Sequence, residues 1–304
     1  MHSFMNHIAV TGAMLIMAGT ASAQEKDKPL LWSPRYLGSG EIALPERVVQ
    51  SDLVVSGKIT TLEPKDVEAT FSAELPNKVD YRIAVVKVHE VVHGQKTVKE
   101  LRLGFIAPGQ DRKVDKAGKA LPIPPFSFQR FTKGQNGLFF LRKHHQGDFY
   151  MSFVFFGAFV DSRDGAEFTK NLHDVRRLNK VLEAPVEALK DRNATNRFVA
   201  ATMLVHRHRL SWLKERKGAE KTIDAEESKL LLKTLAEADW QENEAIDKYP
   251  PHPYRVFLEL GVKKADGYDP PANPSDDRDT LRYTHTWLRD HQEKYRIKCF
   301  TDAK

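Results

Sequence analysis

The sequence predicts an α+β protein, with a small antiparallel β-barrel or sandwich in its N-terminal half and an α-helical domain in its C-terminal half. Two observations carry this expectation. Between Asp52 and Val160, apolar residues alternate in short segments rich in Val, Ile and Phe, the pattern of strands that bury one face. Downstream of about Thr169 the spacing becomes three and four, with Leu172, Val175, Leu178, Val181 and Leu182 on one helical face.

The strands follow in order. Asp52 to Leu62 is β-branched and is closed by Pro64; Val79 to Val92 is long and stops at Gly94. Thr97 to Ile106 ends at Pro108-Gly109, Gly137 to Arg142 is almost wholly apolar, and Phe149 to Val160 is reached through Gln146-Gly147-Asp148, a turn between antiparallel strands. A basic, Pro-rich connection containing Leu121-Pro-Ile-Pro-Pro125 interrupts the set. A connection that long inside a compact domain tends to be functional or mobile. In the helical half, Pro185 ends one helix and starts a short one, Val186 to Lys190. Asn196 to Leu213, Ala225 to Trp240 and Ser275 to Arg296 read as further amphipathic helices, the last capped by Ser275 with acidic residues behind it.

Residues 1–23 read as a cleavable secretory signal. Ile8 to Ala18 is apolar, uncharged and too short to span a bilayer, and Ala21-Ser22-Ala23 supplies a small-x-small cleavage site before Gln24. The segment before Ile8 carries no Lys or Arg. The expected division is a signal at 1–23, an irregular arm at 24–46, a barrel at 47–165 and a helical domain at 166–304. The product is expected in the periplasm or outside the cell, with no integral membrane segment after cleavage.

The chain has 304 residues, 41% of them hydrophobic and 29% charged, which excludes a disordered polymer. Its one cysteine, Cys299, excludes an internal disulfide and is expected to be buried and inert. The net charge of +6 is uneven: residues 24–160 hold 20 Lys/Arg against 15 Asp/Glu, and residues 161–304 hold 27 against 26. Much of the excess lies in one stretch, where Arg112, Lys113, Lys116, Lys119, Arg130 and Lys133 face only Asp111 and Asp115. Such a run is usually a solvated loop, and it is also the kind of surface that meets an anionic polymer or partner.

The run Ser51-Asp-Leu-Val-Val-Ser-Gly-Lys-Ile59, the strand end Val91-Val92-His93-Gly94 and the strand Gly137-Leu-Phe-Phe-Leu141 resemble the netrin-like, or TIMP-like, version of the OB barrel. The chain also resembles a family of exported bacterial proteins of unknown function that place such a barrel before helices. The resemblance covers roughly residues 47–160 and implies an OB-like antiparallel β-barrel without implying an activity. TIMP-like inhibition of metalloproteases needs an N-terminal Cys, and the expected mature N-terminus is Gln24.

One motif points to chemistry. His89-Glu90-Val91-Val92-His93 matches H-E-x-x-H, in which two His ligands one helical turn apart hold zinc and the Glu polarises the bound water. The motif needs a helix, yet it ends a β-branched run stopped by Gly94. On a strand, residues four apart are separated by about 13 Å, too far for two zinc bonds of about 2 Å. No third ligand stands at the usual downstream spacing. His89, His93 and Glu90 are therefore a metal site only under the less favoured reading.

Weaker signals complete the set. Gly38-Ser39-Gly40 imitates a dinucleotide loop without a preceding strand. His144-His145 would point to opposite faces of a strand. His206-Arg-His-Arg-Leu-Ser-Trp-Leu-Lys-Glu-Arg-Lys217 continues a helix with a basic end and reads as a solvated face favourable to its dipole, with contact to a polyanion as the alternative. No nucleophile elbow, P-loop or paired-carboxylate pattern is present, so no cofactor is expected. The expected function is a non-enzymatic binding module acting through the barrel rim and the loop at 110–135. Zinc hydrolysis and nucleic-acid binding are the alternatives.

Overall fold

A computed structural model describes residues 43–72, 75–106, 131–152, 159–209, 220–241, 250–271 and 277–300. All of them belong to one unit spanning Tyr36–Lys304. The segment expected to be a signal, most of the expected arm, Gly38-Ser39-Gly40, Ser275 and the basic residues Arg112, Lys113, Lys116, Lys119 and Arg130 lie outside the described residues.

Seven strands form one sheet: β1 (Leu53–Leu62), β2 (Val67–Ser72), β3 (Leu75–His93), β4 (Glu100–Phe105), β5 (Asn136–Lys143), β6 (Tyr150–Ser152) and β7 (Phe159–Asp161). The pairing order is β1-β3-β4-β6-β5-β7, and β1 also pairs with β5, so the path runs back on itself in a ring-like arrangement. Every pairing is antiparallel except β4 with β6. β2 was not anticipated. It pairs with the first part of β3, where Val67 to Ser72 alternates after the Pro64 that reads as a full stop.

Gly94 ends β3 at φ 93, and a Cβ there would collide with the Asp52 carbonyl oxygen, so glycine is required where β3 passes β1.

The apolar run in β5 reflects two buried faces. Phe139 and Leu141 point into the ring with Leu53, Val55, Ile59, Val86, Leu103 and Phe105. Leu138 and Phe140 point outward, with Val54, Val92 and Val160, into a second core made by the helices. A strand buried on both sides reads as continuous hydrophobicity, which is why Gly137-Leu-Phe-Phe-Leu141 shows no alternation. Burying a side chain such as Phe140 fully is worth about 1.5–3 kcal/mol.

The helices are α1 (Leu44–Gln50), α2 (Ala166–Glu183), α3 (Pro185–Leu189), α4 (Ala194–Arg209), α5 (Ala225–Glu237), α6 (Pro253–Glu259) and α7 (Asp277–His291). A small two-stranded antiparallel sheet, β8 (Glu220–Thr222) with β9 (Lys298–Phe300), lies among them. Helices α1 and α6 were not anticipated; each has a proline in its first turn, where the missing N–H costs nothing. Helix α4 is central: Ala200 to His206 are all buried, and α1, α2, α3, α5 and α6 pack around it. Helix α2 lies against β3, β5 and β7. Among the described residues no helix is long and apolar enough to cross a membrane.

Candidate functional site

The H-E-x-x-H residues end β3 and lie where α2 docks. Glu90 accepts two hydrogen bonds from Arg176, from Nε at 2.9 Å and Nη2 at 2.6 Å. That forked contact, opposed by partial burial, holds the Glu90 carboxyl below the usual carboxylate range. His93 Nδ1 lies 2.7 Å from Asn179 Oδ1, and Asn179 Nδ2 donates to Glu183 at 2.8 Å. His89 is exposed. The extended backbone separates the imidazoles as the β-branched run requires, and Glu90 is committed to a guanidinium. Among the described residues no group of three or more His, Cys, Asp or Glu side chains is placed to hold a metal ion. The motif's polar groups attach a helix to a strand. Half-exposed ion pairs of this kind contribute about 0.2–1 kcal/mol.

Of the basic set, only Lys133 is described; it is exposed in the turn before β5. That turn is tied to β1, Gly134 N–H donating to Ile59 O at 2.8 Å and Ile59 N–H to Gln135 O at 2.9 Å. Beside it, Lys58 of β1 stands directly opposite Lys87 of β3, both exposed. Like charges in direct cross-strand register destabilise a sheet; Glu100, opposite Lys87 on its other side, offsets part of that cost. The basic connection leaves the ring after Ile106 and returns at Phe131, and both residues are buried. The Phe105 and Phe131 rings meet edge-to-face at 5.2 Å, so the two ends are held together.

Two expectations change. His144 and His145 do not diverge: they lie beyond the end of β5 with rings stacked 4.4 Å apart. His144 Nδ1 accepts from the Gln146 and Gly147 N–H groups at 3.0 and 2.9 Å, so Nε2 carries the proton and donates to Thr70 O at 3.0 Å. Burial holds the His144 pKa below its ordinary value, opposed by that Thr70 contact. The pair pins the β5–β6 turn to β2. Of the basic end of α4, expected in solvent, residues 210–217 lie outside the described residues; Arg207 is exposed, while His208 and Arg209 are half-buried in the helical layer. Arg207 donates to Leu182 O at 2.8 Å, His208 pairs with Glu227 at 2.7 Å, and Arg209 pairs with Glu220 at 2.8 Å. The Arg209 guanidinium also lies 4.5 Å from the Phe300 ring centre.

The first residue of that segment belongs to a buried charged cluster that sequence patterning missed. His206 Nε2 lies 2.9 Å from Glu259 Oε2, with side-chain exposures of 1% and 9%. Glu46 of α1 is 2% exposed, and its Oε1 meets no hydrogen-bond partner among the described residues. One turn on, Gln50 is 5% exposed with its Oε1 in the same condition. Burial pushes the Glu46 carboxyl up to about 7, His206 opposing the rise and Glu259 adding to it. Burial works against the charge on His206, but Glu259 and Glu46 outweigh it and its pKa is raised. Cys299 is buried, as expected. Comparison of the chain with protein-family models and with curated proteins gives no match.

Proposed function

We propose that the protein is an exported, non-enzymatic binding module that meets an anionic surface or partner through the basic side of its sheet. The observation that carries this reading is the exposed Lys58–Lys87 pair, set beside the turn of Lys133 where the basic connection returns to the ring. Like-charged lysines in direct register cost stability, and a surface that keeps them is suited to an anion that neutralises both. The five-strand path β1-β3-β4-β6-β5, with β1 meeting β5 and with a parallel β4–β6 pair, supports an OB-like, netrin- or TIMP-like barrel. Such barrels bind along the face of their second and third strands, which here are β3 and β4.

The zinc-hydrolase alternative finds no support in the geometry of His89, Glu90 and His93. Binding is tested by retention on a sulfonated matrix across a salt gradient. Reversing Arg112, Lys113, Lys116 and Lys119 together, or Lys58 and Lys87 together, is expected to remove most of the salt-sensitive retention. Unchanged retention in both variants overturns the reading. Export is tested by mass spectrometry of the secreted chain, expected to begin at Gln24.

A further inference from the structure

The buried cluster of Glu46, His206 and Glu259 draws its members from three helices. Glu46 is carried by α1, which runs directly into β1 and packs on α4; His206 is near the end of α4; Glu259 closes α6. A salt bridge within a core contributes little net stability and is costly once its charges no longer balance. Here the balance depends on where protons sit. With Glu46 protonated, the remaining imidazolium and carboxylate neutralise each other. Ionising Glu46 adds a negative charge to this buried cluster, and removing the His206 proton takes a positive one away.

We propose that Glu46, His206 and Glu259 form a pH-sensitive latch, which holds α1 against α4 in mildly acidic solution and loosens it as the solution becomes alkaline. Among the described residues, His206 and Glu259 act on Glu46, and Glu259 and Glu46 act on His206. Other charged groups on the packed elements make contacts of their own, and Arg255 stands one turn before Glu259 on α6. Arg47 of α1 lies over the Phe140 ring, and Arg176 of α2 holds Glu90. Glu183 of α2 takes Asn179 and Lys96, and Arg207, His208 and Arg209 of α4 take Leu182 O, Glu227 and Glu220. On β9, Lys298 pairs with Asp266.

The direction follows from two raised pKa values. Each group favours folding while protonated, so the contribution of Glu46 is present below the ordinary carboxylate range and is lost as pH rises through about 7. That of His206 is lost as pH rises through its own raised value. Helix α1 is suited to respond first. It has only seven residues and no side-chain cap at its N-terminus.

Hydrogen exchange of the full chain, corrected for intrinsic rates and followed from about pH 5 to about pH 9, tests the latch. Protection of residues 44–50 is expected to fall at least about tenfold over that span, since each unit of pKa difference is a factor of ten. Protection of residues 138–141 in β5 is expected to stay level. Glu46→Gln, the same shape without the charge, should flatten most of the response, and Glu259→Gln should move the loss to lower pH. A pH-independent α1 in the wild type overturns the latch, and so does loss of β5 protection in parallel with α1. Persistence of the full response in Glu46→Gln overturns the role of Glu46.

Discussion

Two of the groupings of histidine and glutamate among the described residues behave in opposite ways. His89, Glu90 and His93 match a catalytic signature in sequence, yet lie on an extended strand with Glu90 bound to Arg176 at a half-exposed surface. Glu46, His206 and Glu259 match no signature and come from three separate helices, yet they sit in the core, where burial and charged neighbours raise the pKa of both Glu46 and His206. Residue type and spacing are chemistry only when the backbone brings the groups together and burial makes their charges costly. The first grouping lacks the former condition, and the second meets both.

The largest expected effect tests the frame that both groupings share. Phe140→Ala should destabilise the protein by about 3–5 kcal/mol, read by denaturant unfolding, because the ring is buried where the helices meet the sheet. A cost below about 1 kcal/mol would mean that the two cores are not joined there.

Glu46→Gln should stabilise the protein by roughly 1–3 kcal/mol at about pH 8, since it removes a carboxylate whose ionisation is resisted in the fold. At about pH 5, where Glu46 is largely protonated, the same change should be close to neutral. An equal effect at both pH values would dissolve the contrast between the groupings. In the opposite member, Glu90→Gln should cost at most about 1 kcal/mol and show little pH dependence above about pH 5. Glu90 is held below the usual carboxylate range, so its contribution is present above that range and is lost only as pH falls through its own lowered value.

Metal analysis sharpens the comparison further. Purified wild type and His93→Ala should both lack stoichiometric zinc, and zinc in the wild type alone would restore the catalytic reading. The smallest effect is expected on the sheet surface. Lys87→Thr should raise stability by a few tenths of a kcal/mol by relieving the pair with Lys58, while weakening retention on an anionic matrix.

Much of the sheet is legible in sequence because its strands carry local signals. β1, β3 and β5 fall within a few residues of where β-branched and apolar runs place them, and Pro185 marks the break between α2 and α3. The missed elements lack such signals or carry misleading ones. Pro45 and the glycines before it make α1 read as irregular, and Pro64 hides β2. The ring-like return of β1 onto β5 joins Leu53 to Leu141, and only tertiary folding records that separation. The buried cluster was illegible for the same reason. An acidic residue after a proline is the mark of an exposed first helical turn, so Glu46 reads as surface until α4 and α6 are packed over it. His206 was hidden by Arg207 and Arg209, whose charges suggest solvent although each finds a partner within the helical layer.

One feature of β5 has consequences for how this chain can change over evolutionary time. Leu138 and Phe140 belong to the helical core, while Phe139 and Leu141 belong to the ring. Neither half can therefore be inherited alone without laying bare a row of large apolar side chains, a surface prone to self-association. Drift at these four positions is also constrained from two sides at once, since each substitution must suit its own core without shifting the backbone that the other depends on. The polar and charged surface around them faces no such double constraint and is free to be rewritten for a new partner.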